Sequence, residues 1–475
     1  MRHYPKISIL HISDLHKNDE DDFRNLYQSM RDDCERYEQQ GIQKPNIIVV
    51  SGDLIKGGTQ DEIKQQYQEV KVFLEDLVNY YLDGDKSRIV IVPGNHDVDW
   101  NVSKKLMKPI PNGSPEEQEN YIKMLNLFLL GKVHNVRWNW GDQKLYSFEF
   151  GIEYNSRFQQ FSEFYKAFYG DRSYSLTPSE QCEIFDMPTY NICFVGFNSC
   201  YLNDHINKVG QIYPTCVSLA KTSVREMANQ GRILVAVWHH NASGRPMTNN
   251  YLDNRILPPI IDMGVHIALH GHQHYSGVVE EYHNAFKRGK LLMFSTGSLY
   301  GATETLSYGA PRQYNILEIV QECDKLRLSI HLREDCNPAE YGIPTWGDGK
   351  IKEIGGSSWE TTLPLPKQPF DDIQLSDSIN RGLETGNYTE AIELLREKAA
   401  EDKVARKMML DLMMKGKQYN DIISYIGDPQ TDEDALLVIK AASELNDKDI
   451  NARVKAYRGI KTSQSAHIRK MVDYL

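Results

Sequence analysis

Five runs rich in Ile, Val and Leu in this sequence each end in residue types that bind metals. "KISILHIS" leads into Asp14 and His16, "PNIIVVSGD" ends on Asp53, and "RIVIVPGNHD" ends on Asn95, His96 and Asp97. Further along, "RILVAVWHHN" brings His239 and His240, and "VHIALHGHQH" brings His272 and His274. Short runs of this kind read as buried strands. In α/β sheets ligands bind in the crevice beyond the carboxyl ends of the strands, so the five blocks are expected at one sheet edge. A single histidine after a strand is ordinarily a hydrogen-bonded loop residue. Five such blocks in register ask for a common cause.

Amphipathic segments separate these strands, as in "DDFRNLYQSMRDDCERYEQQG", "DEIKQQYQEVKVFLEDLVNYY" and "CVSLAKTSVREMANQG", which is the rhythm of a layered α/β fold. The later runs "LLMFSTGS", "YNILEIV" and "LRLSIHL" have no helix between them and read as antiparallel strands. With 475 residues, two or three domains are expected. No apolar run nears the ~20 residues of a membrane span, and the first residues lack a signal-peptide pattern, so a cytoplasmic location without a membrane partner is expected. Seven cysteines without a CxxC pair indicate neither a disulfide framework nor a thiolate zinc site. A net charge of -11 argues against polyanion binding over the whole surface while leaving room for a local basic strip.

Imidazole and carboxylate together favour zinc, manganese or iron over calcium or magnesium. Six or seven ligands exceed what one tetrahedral ion takes. They suit two ions about 3.5 to 4 Å apart that share a carboxylate, the arrangement used for displacement at phosphorus. Gly52, Gly94 and Gly271 stand beside the ligands, where they allow tight backbone turns.

"DLH", "GD", "GNHD", a downstream His and "GHQH", in that order, resemble the calcineurin-like metallophosphoesterase superfamily, whose pattern is DxH, GD, GNH(D/E), H, GHxH. The resemblance covers roughly residues 7 to 335, interrupted by an insertion. It implies an α/β fold, a four-layer sandwich of two mixed β-sheets flanked by helices, holding two divalent metal ions. Mn2+ comes first among these, with Fe, Zn, Ni and Co as the other options. It makes Asp14, His16, Asp53 and His274 the ligands of one metal and Asp53, Asn95, His239 and His272 those of the other, with Asp53 bridging. A metal-bridged hydroxide would be the nucleophile, His96 would hold phosphoryl oxygens and protonate the departing alkoxide, and Asp97 would orient His96. Alternation along a strand lets only one of His239 and His240 face the metal. His239 matches the first His of the family's usual pair, leaving His240 to touch the substrate or support the site. His266 and His270 share a strand face and are expected to support the site or pack beneath it.

Protein phosphatases of this superfamily carry arginines in "GDxVDRG" and "RGNHE", where this chain has "GDLIKGG" and "PGNHD". The departure favours a nuclease or nucleotide phosphodiesterase over a phosphomonoesterase. The reading from another class is a partner-recruiting scaffold with a structural metal site, against which the complete ligand set and His96 both argue.

Three regions follow. Residues 1–335 form the catalytic domain, with an aromatic-rich cap insertion over 98–190. Thirteen aromatics lie between Trp138 and Tyr174. Those at helical spacing (Tyr154, Phe158, Phe161, Tyr165, Phe168) are expected to pack the cap's own core, and Trp138 and Trp140 are the candidates for stacking on bases. Residues 336–370, rich in Pro and Gly, read as a linker or extended arm. Residues 371–475 read as an all-α, partner-binding domain within a larger assembly. In it Tyr388, Ala391, Ile392 and Leu395 align with Tyr419, Ile422, Ile423 and Ile426 at an offset of 31, which resembles tetratricopeptide-like pairs, whose period is ~34, with a plain helical bundle as the alternative. The basic run from Arg453 to Leu475 suits a phosphate backbone or an acidic partner.

Overall fold

A computed structural model of the chain describes residues 4–16, 23–242, 250–283, 290–300, 310–322, 325–337, 344–351, 355–364, 385–400, 403–429 and 431–445, with a few single positions between. The strands in chain order are β1 (Ile7–Ile12), β2 (Ile47–Val50), β3 (Ile89–Ile91), β4 (Lys108–Pro109), β5 (Val136–Asn139), β6 (Lys144–Ser147), β7 (Cys182–Met187) and β8 (Ile192–Phe197). They continue with β9 (Ile233–Val237), β10 (Val265–His270), β11 (Gly277–His283), β12 (Lys290–Ser295), β13 (Gln313–Gln321), β14 (Lys325–Asp335), β15 (Trp346–Asp348) and β16 (Ser358–Pro364).

Two mixed sheets flanked by helices make the body of the fold. The first has the order β15-β14-β13-β1-β2-β3, with β16 also on β14. In it β1, β2 and β3 run parallel, and every residue of the three is buried. That is why they read as continuous apolar runs instead of alternating ones. The second has the order β11-β12-β10-β9-β8-β7. Along β9 the two faces separate: Ile233, Val235 and Val237 join the core shared with the first sheet, while Leu234 and Ala236 pack with the helices Pro214–Asn229 and Leu257–Asp262. On the first sheet, helix Gln60–Leu82 opens with a capping box between Thr59 and Glu62 and buries Val70, Phe73, Leu74 and Leu77 in that core.

Three expectations change. "LLMFSTGS" is antiparallel to one neighbour only. Its strand β12 pairs antiparallel with β11 and parallel with β10, because β11 reverses the chain without a helix. The passage 336–370 is not a bare linker, since β15 and β16 both pair with β14. Among its Pro and Gly residues "SWETTLP" hides a period of two, with Glu360 and Thr362 exposed and Leu363 buried. The aromatic stripe does not pack one separate cap. A small sheet β4-β6-β5 does form within 98–190. Helix Gln159–Tyr169, however, sends Phe161, Phe164, Tyr165 and Phe168 into the main core, where Phe164 stacks on Tyr67 at 4.9 Å, and β7 is the edge of the second sheet. Tyr154 instead packs with Met107 and Phe148, and Phe158 with Val98 and Cys200.

Helix Phe23–Cys34 is tied to the sheet by a buried ion pair. Arg333 of β14 places Nη2 2.5 Å and Nε 2.8 Å from the two oxygens of Asp33, which also accepts from Tyr314 OH. Arg333→Met should destabilise the fold by ~1–3 kcal/mol, read as a lower urea midpoint, because it takes two charge-assisted hydrogen bonds from buried Asp33 and leaves it Arg36 Nη2, at 2.7 Å, and Tyr314 OH. Pairing it with Asp33→Asn should recover much of the loss. Equal midpoints for wild type and the single variant would refute the tie.

The chain divides into a unit spanning Met1–Pro366 and one spanning Lys367–Leu475. The second contains helices Thr389–Ala399, Lys403–Lys415, Tyr419–Ile426 and Asp432–Leu445. Tyr388, Ala391, Ile392 and Leu395 share one core with Ile422 and Ile423, against which Tyr419 and Ile426 pack. The basic run Arg453 to Leu475 lies outside the described residues. Among the described residues no helix is long and apolar enough to cross a membrane.

Candidate metal centre

The five polar blocks meet, though not at one sheet edge. Asp14 and His16 follow β1, Asp53 follows β2, and Asn95 to Asp97 follow β3, all in the first sheet. His239 and His240 follow β9, and His272 and His274 follow β10, in the second. Apolar periodicity reports that a strand is buried without saying which sheet it joins.

The backbone is bent to aim these side chains. Among the described residues nine other than glycine have positive φ, and five of them are Asp14 (53°), His16 (44°), Asp53 (54°), His272 (73°) and His274 (60°). This left-handed conformation is uncommon for residues with a Cβ and persists where the surroundings impose it, often at functional sites. Two glycines let the loops come this close. A Cβ on Gly94 would lie 2.1 Å from Asp53 Oδ1, and one on Gly271 would lie 1.9 Å from Ser13 Oγ and 2.5 Å from Asp14 Oδ2.

Three sets of donor atoms converge: Asp14, His16 and His274; His16, Asp53 and His96; Asp53, His239 and His272. Asp14 Oδ1 is 3.2 Å from His274 Nε2 and 3.6 Å from His16 Nε2, and these two nitrogens are 2.9 Å apart. Asp53 Oδ2 lies 3.2 Å from His239 Nε2 and 3.9 Å from His16 Nε2, so it faces both sides. Asn95 Oδ1 is 3.1 Å and His272 Nδ1 3.2 Å from His239 Nε2. The Ser51 carbonyl, 2.8 Å from His239 Nδ1, orients that ring.

The electrostatics call for cations. Burial pushes both carboxyls up, yet the surrounding imidazoles outweigh it: His16 and His274 hold Asp14, and His239 and His96 hold Asp53, well below the usual carboxylate range. Burial would lower His239, but Asp53 raises it to about 9, so the two carboxylates draw positive charge to this point. His272 is pushed down to about 3 by burial and by His239. Buried Asp14 Oδ1 and His272 Nε2 also lack a hydrogen-bond partner. Two carboxylates, inward nitrogens and orphaned buried atoms fit a pair of divalent ions.

Within the second of these sets, His96 places Nδ1 3.0 Å from the Lys56 carbonyl and its ring 4.8 Å from that of His16. Asp97 does not orient it. Its carboxylate accepts from the amides of Gly94 (2.8 Å) and Leu54 (3.2 Å) and from Tyr67 OH (3.0 Å), tying the Asp53 loop to the Asn95 loop. Burial, and then Asp53, pushes Asp97 up to about 7. Of the "HH" pair, only His239 enters a ligand set among the described residues. His240 is fully buried, with Nδ1 2.9 Å from Ser199 Oγ and its ring 4.7 Å from that of His272, so it supports the cluster from within. His270 is likewise fully buried, held neutral by burial at about 4, with Nδ1 3.2 Å from the Gly271 carbonyl. His266 is half-buried on the same strand.

The sequence model of the calcineurin-like phosphoesterase family matches residues 7–276, more than half of the chain. The chain belongs to this family. It is therefore a metal-dependent hydrolase of the phosphoesterase class, and the family typically binds two divalent metals where this chain clusters its candidate ligands. No curated protein matches the sequence. Among solved structures it is similar to a dimetal phosphatase from Danio rerio, at 11% identity over 68% of this chain and 95% of that one, with a TM-score of 0.36. A calcineurin-like phosphoesterase from Bacillus subtilis gives 12% identity, 76% and 92% coverage and a TM-score of 0.27. The anchor protein of the Plasmodium inner membrane complex gives 10%, 76%, 90% and 0.32.

The family pattern leaves the rim of the site unread. The Lys56 and Ser51 carbonyls that aim His96 and His239 act through the backbone, which leaves no residue signature. Trp100 stands beside His96, Lys208 lies over Trp100 and His205 meets Ser103, and none of the three belongs to a block of the pattern.

Proposed function

We propose that this calcineurin-like phosphoesterase is a two-metal phosphodiesterase acting on nucleotides or nucleic acid. Asp14, His16, Asp53 and His274 would hold one cation and Asp53, Asn95, His239 and His272 the other, with Mn2+ the first choice. When bound, the pair supplies charge neutralisation at the phosphoryl group and lowers the pKa of water toward neutrality. The observation that carries the reading is Asp53, whose single carboxylate faces donors of both sets. His96 lies next to it with Nδ1 engaged by Lys56, which leaves Nε2 to exchange a proton with a leaving oxygen.

The preference for diesters rests on charge. A phosphomonoester dianion asks for more cationic contacts than a diester monoanion, and "GDLIKGG" and "PGNHD" offer no arginine beside the ligands. The test is a panel of single-stranded DNA, duplex DNA, RNA, cyclic nucleotides, 4-nitrophenyl phosphate and phosphopeptides, each with Mn2+, Fe2+, Zn2+, Ni2+ and Co2+. Faster turnover of monoesters than of every diester would refute the preference.

The helices of 371–475 are proposed to recruit a protein partner, on the support of their self-contained core. Deleting them should leave hydrolysis of bis(4-nitrophenyl) phosphate within about twofold of wild type, because among the described residues every candidate ligand lies in the other unit. Loss of hydrolysis on deletion would mean that the helices complete the catalytic fold.

A further inference from the structure

The loop after β8, residues 198–210, reaches the metal centre from the side of helix Trp100–Leu106, and it is built to hold one cation in place. Lys208 Nζ sits 3.0 Å from the centroid of the Trp100 ring, well inside cation–π range. Trp100 lies 5.8 Å from the His96 ring, and His96 lies beside the ligand His16. The loop is fixed from both ends. Asp204 accepts from Arg137 Nε at 2.8 Å, Tyr154 OH at 2.9 Å and the amides of Ile206 and Asn207. Fully buried Arg157 donates to the carbonyls of Tyr201 and Asn203. His205 meets Ser103 Oγ of the same helix at 2.8 Å.

The Asp204 carboxylate is committed to Arg137 and Tyr154, and Lys208 Nζ donates instead to the Asp204 carbonyl, at 3.3 Å. Among the described residues no carboxylate lies within ion-pair distance of Lys208. Lys104, on helix Trp100–Leu106, and Lys208 both repel a positive charge on His205. Burial brings the Lys208 ammonium down to about 8, with Asp204 and Asp53 pulling it up and Lys104 pushing it further down. In a chain with net charge -11, Lys208 thus holds its ammonium on the Trp100 ring, one aromatic ring away from His96.

We propose that Lys208, seated on Trp100, binds a phosphate that flanks the scissile one, so that the preferred substrate is an oligonucleotide. A point charge on a flexible stem suits a phosphate whose position varies from one nucleotide to the next. The inference rests on the phosphodiesterase reading above, and names what that site prefers.

The experiment compares full-length wild type, Lys208→Met and Lys208→Arg, with Mn2+, on a short oligodeoxythymidylate and on bis(4-nitrophenyl) phosphate, which has one phosphate. Lys208→Met should lower the ratio of kcat/KM on the oligonucleotide to that on the small diester by ~10-fold, through KM, as expected for one lost charged contact. It should also reduce the slope of log KM against log salt by ~0.7, the value for one contact to a single strand, and Lys208→Arg should restore both. Equal losses on the two substrates, or an unchanged salt slope, would overturn the proposal and leave Lys208 as packing for Trp100. Fluorescence anisotropy of a labelled oligonucleotide on metal-free protein separates this inference from its premise. Wild type that turns over neither diester refutes the diesterase reading, while binding that Lys208→Met leaves unchanged refutes the role of Lys208.

Discussion

Asp53→Asn should lower the turnover of bis(4-nitrophenyl) phosphate by at least ~10³-fold, since the metal pair supplies several kcal/mol to the transition state and each 1.36 kcal/mol is a factor of ten. The substitution keeps shape and removes charge. Asp53 Oδ1 accepts the His96 amide at 2.8 Å, a bond an asparagine oxygen can still accept, so the loop after β3 should stay in place. What goes is the one carboxylate that faces both sets of donors. Metal analysis should show fewer than two ions per chain, with circular dichroism unchanged. A variant that keeps two ions and wild-type turnover would remove Asp53 from the shared position.

His96→Gln should act differently, because its effect depends on the leaving group. On a diester that expels an alkoxide, kcat should fall by ~10²–10⁴-fold, the range for a positioned proton donor. On bis(4-nitrophenyl) phosphate the loss should be smaller, since 4-nitrophenolate leaves without needing a proton. Glutamine can still meet the Lys56 carbonyl that now takes His96 Nδ1 at 3.0 Å, so a misplaced loop is not the expected cause of any loss. Equal losses on the two leaving groups would make His96 a binder of phosphoryl oxygens alone. No loss on either would remove it from the mechanism.

That the candidate ligands cluster was legible because each sits within four residues of a strand end, and a buried strand announces itself by an unbroken apolar run. Alternation along one strand said only that one of His239 and His240 can face the donors, and the choice of His239 came from the family's usual pair. The partner of His96 was not. Asp97 is its neighbour in the chain, yet adjacent side chains diverge, and Asp97 turns to the amides of Gly94 and Leu54 while a backbone carbonyl takes the imidazole. Strand partners were equally hidden. Nothing in "LLMFSTGS" tells that β12 runs parallel to β10, and "SWETTLP" was masked by the glycines and prolines around it. Lys208 had no local signal at all, because its meaning comes from Trp100, more than a hundred residues earlier.

The two-sheet origin of the centre also sets a schedule for its making. Asp14 leaves the ribosome first and His274 last, some 260 residues apart. At ~5–20 residues per second, synthesis of that interval takes roughly 13–52 s. Until β10 has emerged and docked, each half of the ligand set belongs to an unfinished sheet. Cation capture is then a late event of biosynthesis, a seal placed on a sandwich already closed.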